Sequence, residues 1–351
     1  MKLRKYLFKP INLLKRIFRF SLDLWSKKKI IILRYFLSCE VCMSKRVSEF
    51  RNIYTDRLPF TFLRCKECGF IFVYPRRAAD LNYVEGQVIE MGENSHLWNT
   101  RFIEAIEKQK NNQGRLLEIG FGDGGFIEIS SRRGWDAYGI ELSVDCVKHA
   151  RERLGLKNIL HGTIFSADLE YEYFDVICAF NYIEHVSDVN ATLRRIYSLL
   201  KDDGIIVLLC PNIDGLYHRV IPELFGGKDS FNITWVPPYH ISYFNKNNLS
   251  ILLENNGFKV IADESNLTNL LWMQHNLIYG PKACDIMETE IKNKIRSNSS
   301  SNTNASCDDI YFNDILNLVR CKSIWTMLTT IMPLESLINS PNALLLISRK
   351  A

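Results

Sequence analysis

The chain has 351 residues, 47% apolar and 24% charged, with a formal net charge of +5. That is room for one large domain plus appendages, or for two domains, with a sizeable core. Its ten cysteines do not read as a disulfide scaffold: four sit in two C-x-x-C pairs, and others fall in apolar runs (Cys178, Cys210) or helix-like segments (Cys146, Cys321), as suits a reducing compartment.

The charge is uneven. Residues 1–37 hold eleven Lys/Arg against one acid, Asp23, which leaves the remainder at about −5. This stretch interleaves basic residues with Leu13, Leu14, Ile17, Phe18, Leu22 and Trp25. At helical spacing an apolar stripe lies beside a basic one, a pattern that suits an anionic membrane surface. Packing on the body, or disorder, fits it as well, and RNA binding is a third, weaker reading. No apolar run reaches the roughly 18 residues of a membrane span, and the N-terminus lacks the apolar core and cleavage site of a secretory signal. A cytoplasmic location is expected, with peripheral contact at the inner face of the membrane as an option.

Residues 38–77 read as a zinc ribbon. Cys39-x-x-Cys42 and Cys65-x-x-Cys68-Gly69 are separated by 22 residues, which matches a four-thiolate tetrahedral zinc site. Phe60–Leu63 and Phe70–Val73 read as short strands, and Gly69 eases the second turn. The alternative is four buried cysteines without metal. With every position taken by protein, such a site is structural. Residues 78–113 form a connector, mostly helical over 80–112, with Trp98, Phe102, Ile103 and Ile106 as its apolar set.

From Gly114 strands and helices alternate, which implies a parallel sheet with crossover helices. Strands are expected at Arg115–Ile119, Ala137–Glu141, Asn158–His161, Phe174–Phe180 and Ile205–Cys210, with Asp202-Asp203-Gly204 as a turn before the last. Helices are expected near 125–133, 143–154 (N-capped by Ser143) and 189–200. Residues 211–244 form a long loop with Tyr217, Phe225, Trp235, Pro237, Pro238, Tyr239 and His240; a loop this long is usually functional. A helix at 245–256 and a strand at 257–262 follow. An insertion of about 265–340 comes next, holding helical segments at 263–295 and 308–334 around a polar stretch, 296–306, expected to be disordered. A last strand covers Ala343–Ser348.

The organising stretch is Leu116-Leu117-Glu118-Ile119-Gly120-Phe121-Gly122-Asp123-Gly124-Gly125. It reads as a strand, a tight turn and a helix start. Glycines remove the Cβ atoms that keep a ligand off the backbone, and a helix start offers free N–H groups. Gly120, Gly122 and Gly125 also satisfy G-x-G-x-x-G, the dinucleotide fingerprint, so NAD is the competing cofactor.

In its context the stretch resembles motif I of the class I S-adenosylmethionine-dependent methyltransferases, acid-x-Gly-x-Gly-x-Gly, here Glu118, Gly120, Gly122 and Gly124. Gly139-Ile140-Glu141-Leu142-Ser143, Phe174-Asp175-Val176-Ile177, Tyr182-Ile183-Glu184-His185-Val186, Leu199–Gly204 and Pro211-Asn212 continue it in register. The resemblance is strong over 114–212 and weaker over 39–263. It implies a Rossmann-like seven-stranded sheet with helices on both faces, over 114–351, preceded by the ribbon. The ribbon in front resembles a subgroup that modifies surface glycans and sugars.

The resemblance implies that Glu118 faces the cationic methionine end of the cofactor and that Glu141 accepts the ribose hydroxyls. It places Leu142 and Ile164 against the adenine and Asn181 at the end of the fourth strand. Relatives often carry an acid after the glycine that ends the third strand. Here Thr163 follows Gly162, so Thr163 or Asp168 takes that role. His185, His240 and Tyr182 are the candidate catalytic or acceptor-binding residues, against structural roles for each; Trp235 and Tyr239 could stack on a sugar. The expected function is methyl transfer to a carbohydrate or lipid-linked glycan, O-transfer ahead of C-transfer, with a small molecule or sugar nucleotide as other acceptors; nucleic acid is an unlikely partner. The competing readings are an NAD-dependent sugar oxidoreductase, which lacks its Tyr-x-x-x-Lys pair here, and a non-catalytic scaffold.

Overall fold

A computed structural model describes residues 37–54, 59–74, 76, 92–110, 112–215, 240–268, 341 and 343–351. The basic arm, the first part of the connector, the centre of the long loop with Trp235 and Tyr239, and nearly all of the insertion lie outside the described residues.

In chain order the N-terminal strands are β1 (Val47–Tyr54), β2 (Pro59–Cys65) and β3 (Ile71–Tyr74), followed by helix α1 (Gly92–Glu107). Strand β4 (Arg115–Ile119) leads into α2 (Gly125–Arg132), and β5 (Asp136–Glu141) into α3 (Val144–Glu152). Then come β6 (Asn158–His161), β7 (Phe174–Phe180), a 3₁₀ turn at Ile183–His185, α4 (Val189–Leu199) and β8 (Leu200–Pro211). The short β9 (Ser242–Tyr243), α5 (Lys246–Asn255), β10 (Phe258–Asp263) and β11 (Ala343–Lys350) complete the described elements.

Seven strands form one sheet in the order β10-β11-β8-β7-β4-β5-β6. Strands β8, β7, β4, β5 and β6 pair in parallel, and β11 runs antiparallel to both β8 and β10. A reversed strand lies between two forward ones, as the split C-terminal strands implied. The chain turns outward in opposite directions from β4, to β5 on one side and β7 on the other. Such a switch point opens a crevice at the carboxyl ends of the strands.

The central strands are near-continuous apolar runs because both faces are covered. Alternate residues go to opposite faces. Leu116, Val176, Cys178, Val207 and Leu345 pack with Phe102, Ile103 and Ile106 of α1, Phe126 and Ile127 of α2, and Val147 of α3. Leu117, Ile177, Ile206, Leu208 and Leu346 pack with Leu193 and Ile196 of α4 and Leu249, Leu252 and Leu253 of α5. Each fully buried aliphatic or aromatic side chain contributes about 1.5–3 kcal/mol.

Helix α1 (Gly92–Glu107) falls within the 80–112 expected to be mostly helical, of which 80–91 lie outside the described residues. Two expectations need correction. Asp202-Asp203-Gly204 is not a turn before a strand: β8 is extended from Leu200, and its register against β7 shifts between Phe174 and Val176. Residues Lys201–Gly204 are extra length absorbed there as a bulge. Gly204 fits because a Cβ would stand 2.8 Å from the carbonyl oxygen of Lys201. The second is β9, which lies inside the stretch 211–244 expected to be a loop. It pairs antiparallel with β3, Ile71 opposite Tyr243 and Phe72 opposite Ser242, and completes a four-stranded sheet in the order β1-β2-β3-β9.

The ribbon therefore shares a sheet and a core with the body. Val41, Phe70 and Phe72 belong to the same buried cluster as Leu249 and Leu252 of α5. Asn255 Nδ2 donates to the Val41 carbonyl (2.7 Å), Asn190 Nδ2 to that of Glu40 (2.8 Å) and Asn248 Nδ2 to that of Cys68 (3.4 Å). Arg76 joins the two parts, with Nη2 donating to Ser242 Oγ at 2.9 Å and Nε 3.3 Å from Glu40 Oε1.

Candidate active site and metal centre

The glycine turn lies at the end of β4. Gly120, Gly122 and Gly124 all have left-handed backbones, with φ of 71°, 57° and 82°. Alternating glycines are thus required where the methyltransferase pattern has them. A Cβ on Gly122 would meet nothing within 4 Å, so an open space faces its backbone. Gly124 caps α2 and brings no side-chain acceptor of its own, while the N–H of Gly125, the first helical residue, donates to Asp123 Oδ1 at 3.0 Å. Gly125, which completed the dinucleotide pattern, is the first residue of α2 and needs no unusual backbone; its Cβ position faces Asn99 of α1 and Asp123. The close approach of α2 to the sheet is made elsewhere, by Gly139 on β5, whose Cβ would collide with Ile127 Cδ1 and Phe121 Cδ1. A lone glycine inside a strand is the signal that could have found it.

Two carboxylates flank this turn and differ sharply. Glu141, at the end of β5, is half-buried and well served. Its Oε2 accepts from Gly122 N at 3.1 Å, and its Oε1 from Leu142 N at 2.7 Å and Ser143 N at 2.9 Å. It ties the end of β5 to the glycine turn, with lone pairs left for a further donor. Glu118 is 5% exposed, and its Oε2 has no hydrogen-bond partner. Burial, with the charges of Asp123 and Glu141 adding to it, pushes its carboxyl well above the usual carboxylate range. A buried carboxylate without a cation is costly. A cationic ligand beside Glu118 would relieve that cost. An open space over Gly122, a carboxylate lacking a cation and a second carboxylate with free lone pairs suit the sulfonium, ammonium and ribose diol of S-adenosylmethionine.

Asn181 follows β7 with φ of 48°, is exposed, and donates its N–H to the Leu209 carbonyl at 2.8 Å. Tyr182 covers the glycine turn: its Cδ2 stands 3.1 Å from where a Gly120 Cβ would be. Burial, with Glu141's charge behind it, pushes its phenol to about 12, so it stays protonated near neutrality. Leu142 is half-buried at the turn after β5. Thr163 organises a local turn, with its Oγ1 accepting from Ser166 N at 3.2 Å and its N–H donating to Ser166 Oγ at 2.9 Å. Asp168 is exposed. Ile164 departs from expectation: it is fully buried in the core, and its carbonyl accepts from Arg195 Nε, so its side chain does not line an open face.

The 3₁₀ turn after β7 brings a second group together. The side chains of Glu184, His185 and His240 place one ligand atom each within 4.8 Å of one another. His185 Nε2 lies 3.8 Å from Glu184 Oε1, and the two imidazole centroids are 4.8 Å apart. Glu184 is 2% exposed and neither carboxylate oxygen accepts a hydrogen bond; burial pushes it up to about 8. His240 arrives from far along the chain. The segment that carries it is held by Ile241, whose N–H donates to the Glu184 carbonyl (2.9 Å) and whose carbonyl accepts from Val73 N (3.0 Å). The ribbon thus fixes His240 beside His185. Glu184 was visible in the sequence as half of a Glu-His pair, but not as the buried member of a three-residue cluster.

In the ribbon, Cys39 Sγ lies 3.6 Å from Cys68 Sγ and Cys42 Sγ 3.5 Å from Cys65 Sγ, and all four sulfurs lie within 4.8 Å of one another. Zinc with Zn–S near 2.3 Å would space tetrahedral sulfurs about 3.8 Å apart, so the quartet fits that ion. Burial pushes the Cys39 and Cys68 thiols up, which leaves a metal as the group that would hold them as thiolates. The residue after each knuckle has a left-handed backbone: Gly69 at φ 75° and Met43 at φ 60°.

Comparisons with known proteins give the following likenesses. The family model described as "Methyltransferase domain" matches residues 91–263. A probable S-adenosylmethionine-dependent methyltransferase of Mycolicibacterium smegmatis is 27% identical over 145 residues, covering 41% of this chain and 52% of that protein. A ubiquinone biosynthesis O-methyltransferase of Rhodopseudomonas palustris is 32% identical over 101 residues, covering 28% of this chain and 40% of that one. The chain thus spans no more than 52% of either curated relative. A solved S-adenosylmethionine-dependent methyltransferase from Archaeoglobus fulgidus superimposes with a TM-score of 0.43 at 19% identity, covering 74% of this chain and 95% of that one. Residues 91–263, from the start of α1 to the end of β10, are a methyltransferase domain of the class I, S-adenosylmethionine-dependent kind.

Proposed function

We propose that this protein transfers a methyl group from S-adenosylmethionine to a hydroxyl of a carbohydrate or lipid-linked glycan. The observation that carries the donor half is Glu118, a buried carboxylate without a cation beside a glycine turn whose three left-handed positions match the methyltransferase pattern. Bound there, S-adenosylmethionine supplies an electrophilic methyl on a sulfonium. Glu118 would face the cationic methionine end, Glu141 the ribose hydroxyls, and Leu142 the adenine, with Thr163 and Asn181 at the rim. Tyr182, a neutral phenol lying over Gly120, would close the turn from water and orient the acceptor. Methyl transfer from a sulfonium depends mainly on alignment and water exclusion.

The acceptor half rests on less. The relative from R. palustris is named an O-methyltransferase, which favours oxygen over carbon. The ribbon in front of the domain and the basic arm favour a glycan, and the arm a membrane-associated one. In this reading the cysteine quartet holds a structural zinc, the protein works in the cytoplasm, and residues 1–37 touch the inner face of the membrane. Among the described residues no helix is long and apolar enough to cross a membrane.

Titration calorimetry with S-adenosylmethionine and with NAD tests the donor: heat with the first alone is expected, and heat with NAD alone ends the reading. Labelled methyl supplied with extracted glycolipid, protein and RNA tests the acceptor: label is expected in the glycolipid. Label in protein or RNA instead would reject the glycan.

A further inference from the structure

We propose that Glu184, His185 and His240 bind a divalent first-row transition-metal ion that holds the acceptor hydroxyl. The role at the acceptor rests on the methyltransferase reading above; the metal site itself does not. Three observations carry the site. The three ligand atoms already lie within 4.8 Å of one another. Glu184 is 2% exposed, and neither of its carboxylate oxygens has a hydrogen-bond partner. Glu184 is buried while both histidines are half-buried, so the cluster is partly but not wholly covered.

Ligand chemistry sets the metal class. Two imidazoles and one carboxylate favour zinc, manganese, iron or cobalt in the divalent state over magnesium and calcium, which take oxygen ligands. Metal–ligand bonds of about 2.0–2.2 Å bring such atoms to within about 3.4 Å of one another. Side-chain rotation of about 1 Å closes the present cluster onto an ion. Three protein ligands leave positions free for substrate oxygen, unlike the closed cysteine quartet.

The placement is also right. Tyr182, which lies over the glycine turn, precedes the cluster by one residue, Ile183. A hydroxyl bound to the ion is acidified and stands on the acceptor side of that turn. Its proton leaves to water. The O–CH₃ bond then forms as the donor's C–S bond breaks, and the bonding pair stays on sulfur as a neutral thioether. In this arrangement His185 and His240 serve as ligands rather than as a general base.

The test uses the full chain with zinc at its cysteines. Mn²⁺ is titrated and free Mn²⁺ is read by electron paramagnetic resonance. One Mn²⁺ per chain is expected, with Glu184→Gln, His185→Ala and His240→Ala each weakening binding by about tenfold or more. Nitrogen couplings from imidazole on Mn²⁺ bound to the unaltered chain are expected too, and they do not depend on how any variant folds. No bound Mn²⁺, or bound Mn²⁺ without nitrogen coupling, overturns the site. S-adenosylmethionine binding is measured by calorimetry on the same sample. Donor bound without Mn²⁺ leaves the methyltransferase reading standing and rejects this site, whereas Mn²⁺ bound with nitrogen coupling but no donor does the reverse.

Discussion

The cysteine quartet and the glycine cleft are built by opposite rules. The quartet is closed: its sulfurs face one another, and three of its four cysteines are 5% exposed or less. The cleft is open, and key oxygens there lack hydrogen bonds: Oε2 of Glu118 and both oxygens of Glu184 are buried without one. A region that satisfies itself stabilises the fold. A region that leaves buried carboxyl oxygens without hydrogen bonds is poised for something from outside. The two meet at β9, where the ribbon sheet holds the segment carrying His240.

The largest effect should come from opening the closed region. Because the ribbon shares a core with α4 and α5, Cys65→Ser or stripping zinc should lower the melting midpoint of the whole described body by more than about 10 °C. Scanning calorimetry checks this. A ribbon that melts alone, leaving the main transition in place, would break the link between the regions. In any fraction still folded, loss of the β3–β9 pairing should cost acceptor turnover while donor affinity stays.

The next effect belongs to Glu118. A hydrogen bond or ion contact to a charged group contributes about 1.5–3 kcal/mol, so Glu118→Gln should weaken donor binding about tenfold to a hundredfold. The sign of its pH dependence follows from its raised pKa, set by burial and then by Asp123 and Glu141; Cys178 faces it from β7. Donor affinity should rise with pH through that raised value and then level off. Stability of the donor-free protein should do the reverse. The folded chain holds a proton that the unfolded chain releases near pH 4.3, so stability falls as pH climbs from about there and flattens above the folded value. Both slopes should vanish in Glu118→Gln. Unchanged slopes in calorimetry and melting curves would place the titration elsewhere.

Smaller effects sharpen the packing side. Gly139→Ala should cost about 1–3 kcal/mol in denaturant unfolding, because its Cβ meets Ile127 and Phe121 in a filled core. The smallest is a matched pair in the knuckles. Gly69→Ala should lose about 1–2 kcal/mol and Met43→Gly gain up to about 1 kcal/mol, since both positions are left-handed. Equal responses would show that the knuckles do not share one turn geometry.

Much was legible in the residues because it is local. The glycines and the acid before them, Ser143 as the cap of α3, and the two cysteine pairs are written in spacings of a few residues. The strand–helix alternation followed from the same short-range rules. What escaped was set over long range. β9 is two residues long and is a strand only because β3 lies beside it. Ile164, apolar beside the expected adenine site, could be core or ligand wall, and only burial shows it to be core. The extended start of β8 came from a register shift that no local pattern encodes.

The sequence by itself thus determined the type of donor site and the composition of the cysteine knuckles, since each is written within one short strand–turn–helix or turn. Only the tertiary structure decided which carboxylates are left without partners and which distant histidine joins His185. Those outcomes depend on desolvation and on contacts between segments more than 50 residues apart, such as Glu184 and His240, and neither quantity exists until the chain has closed around them.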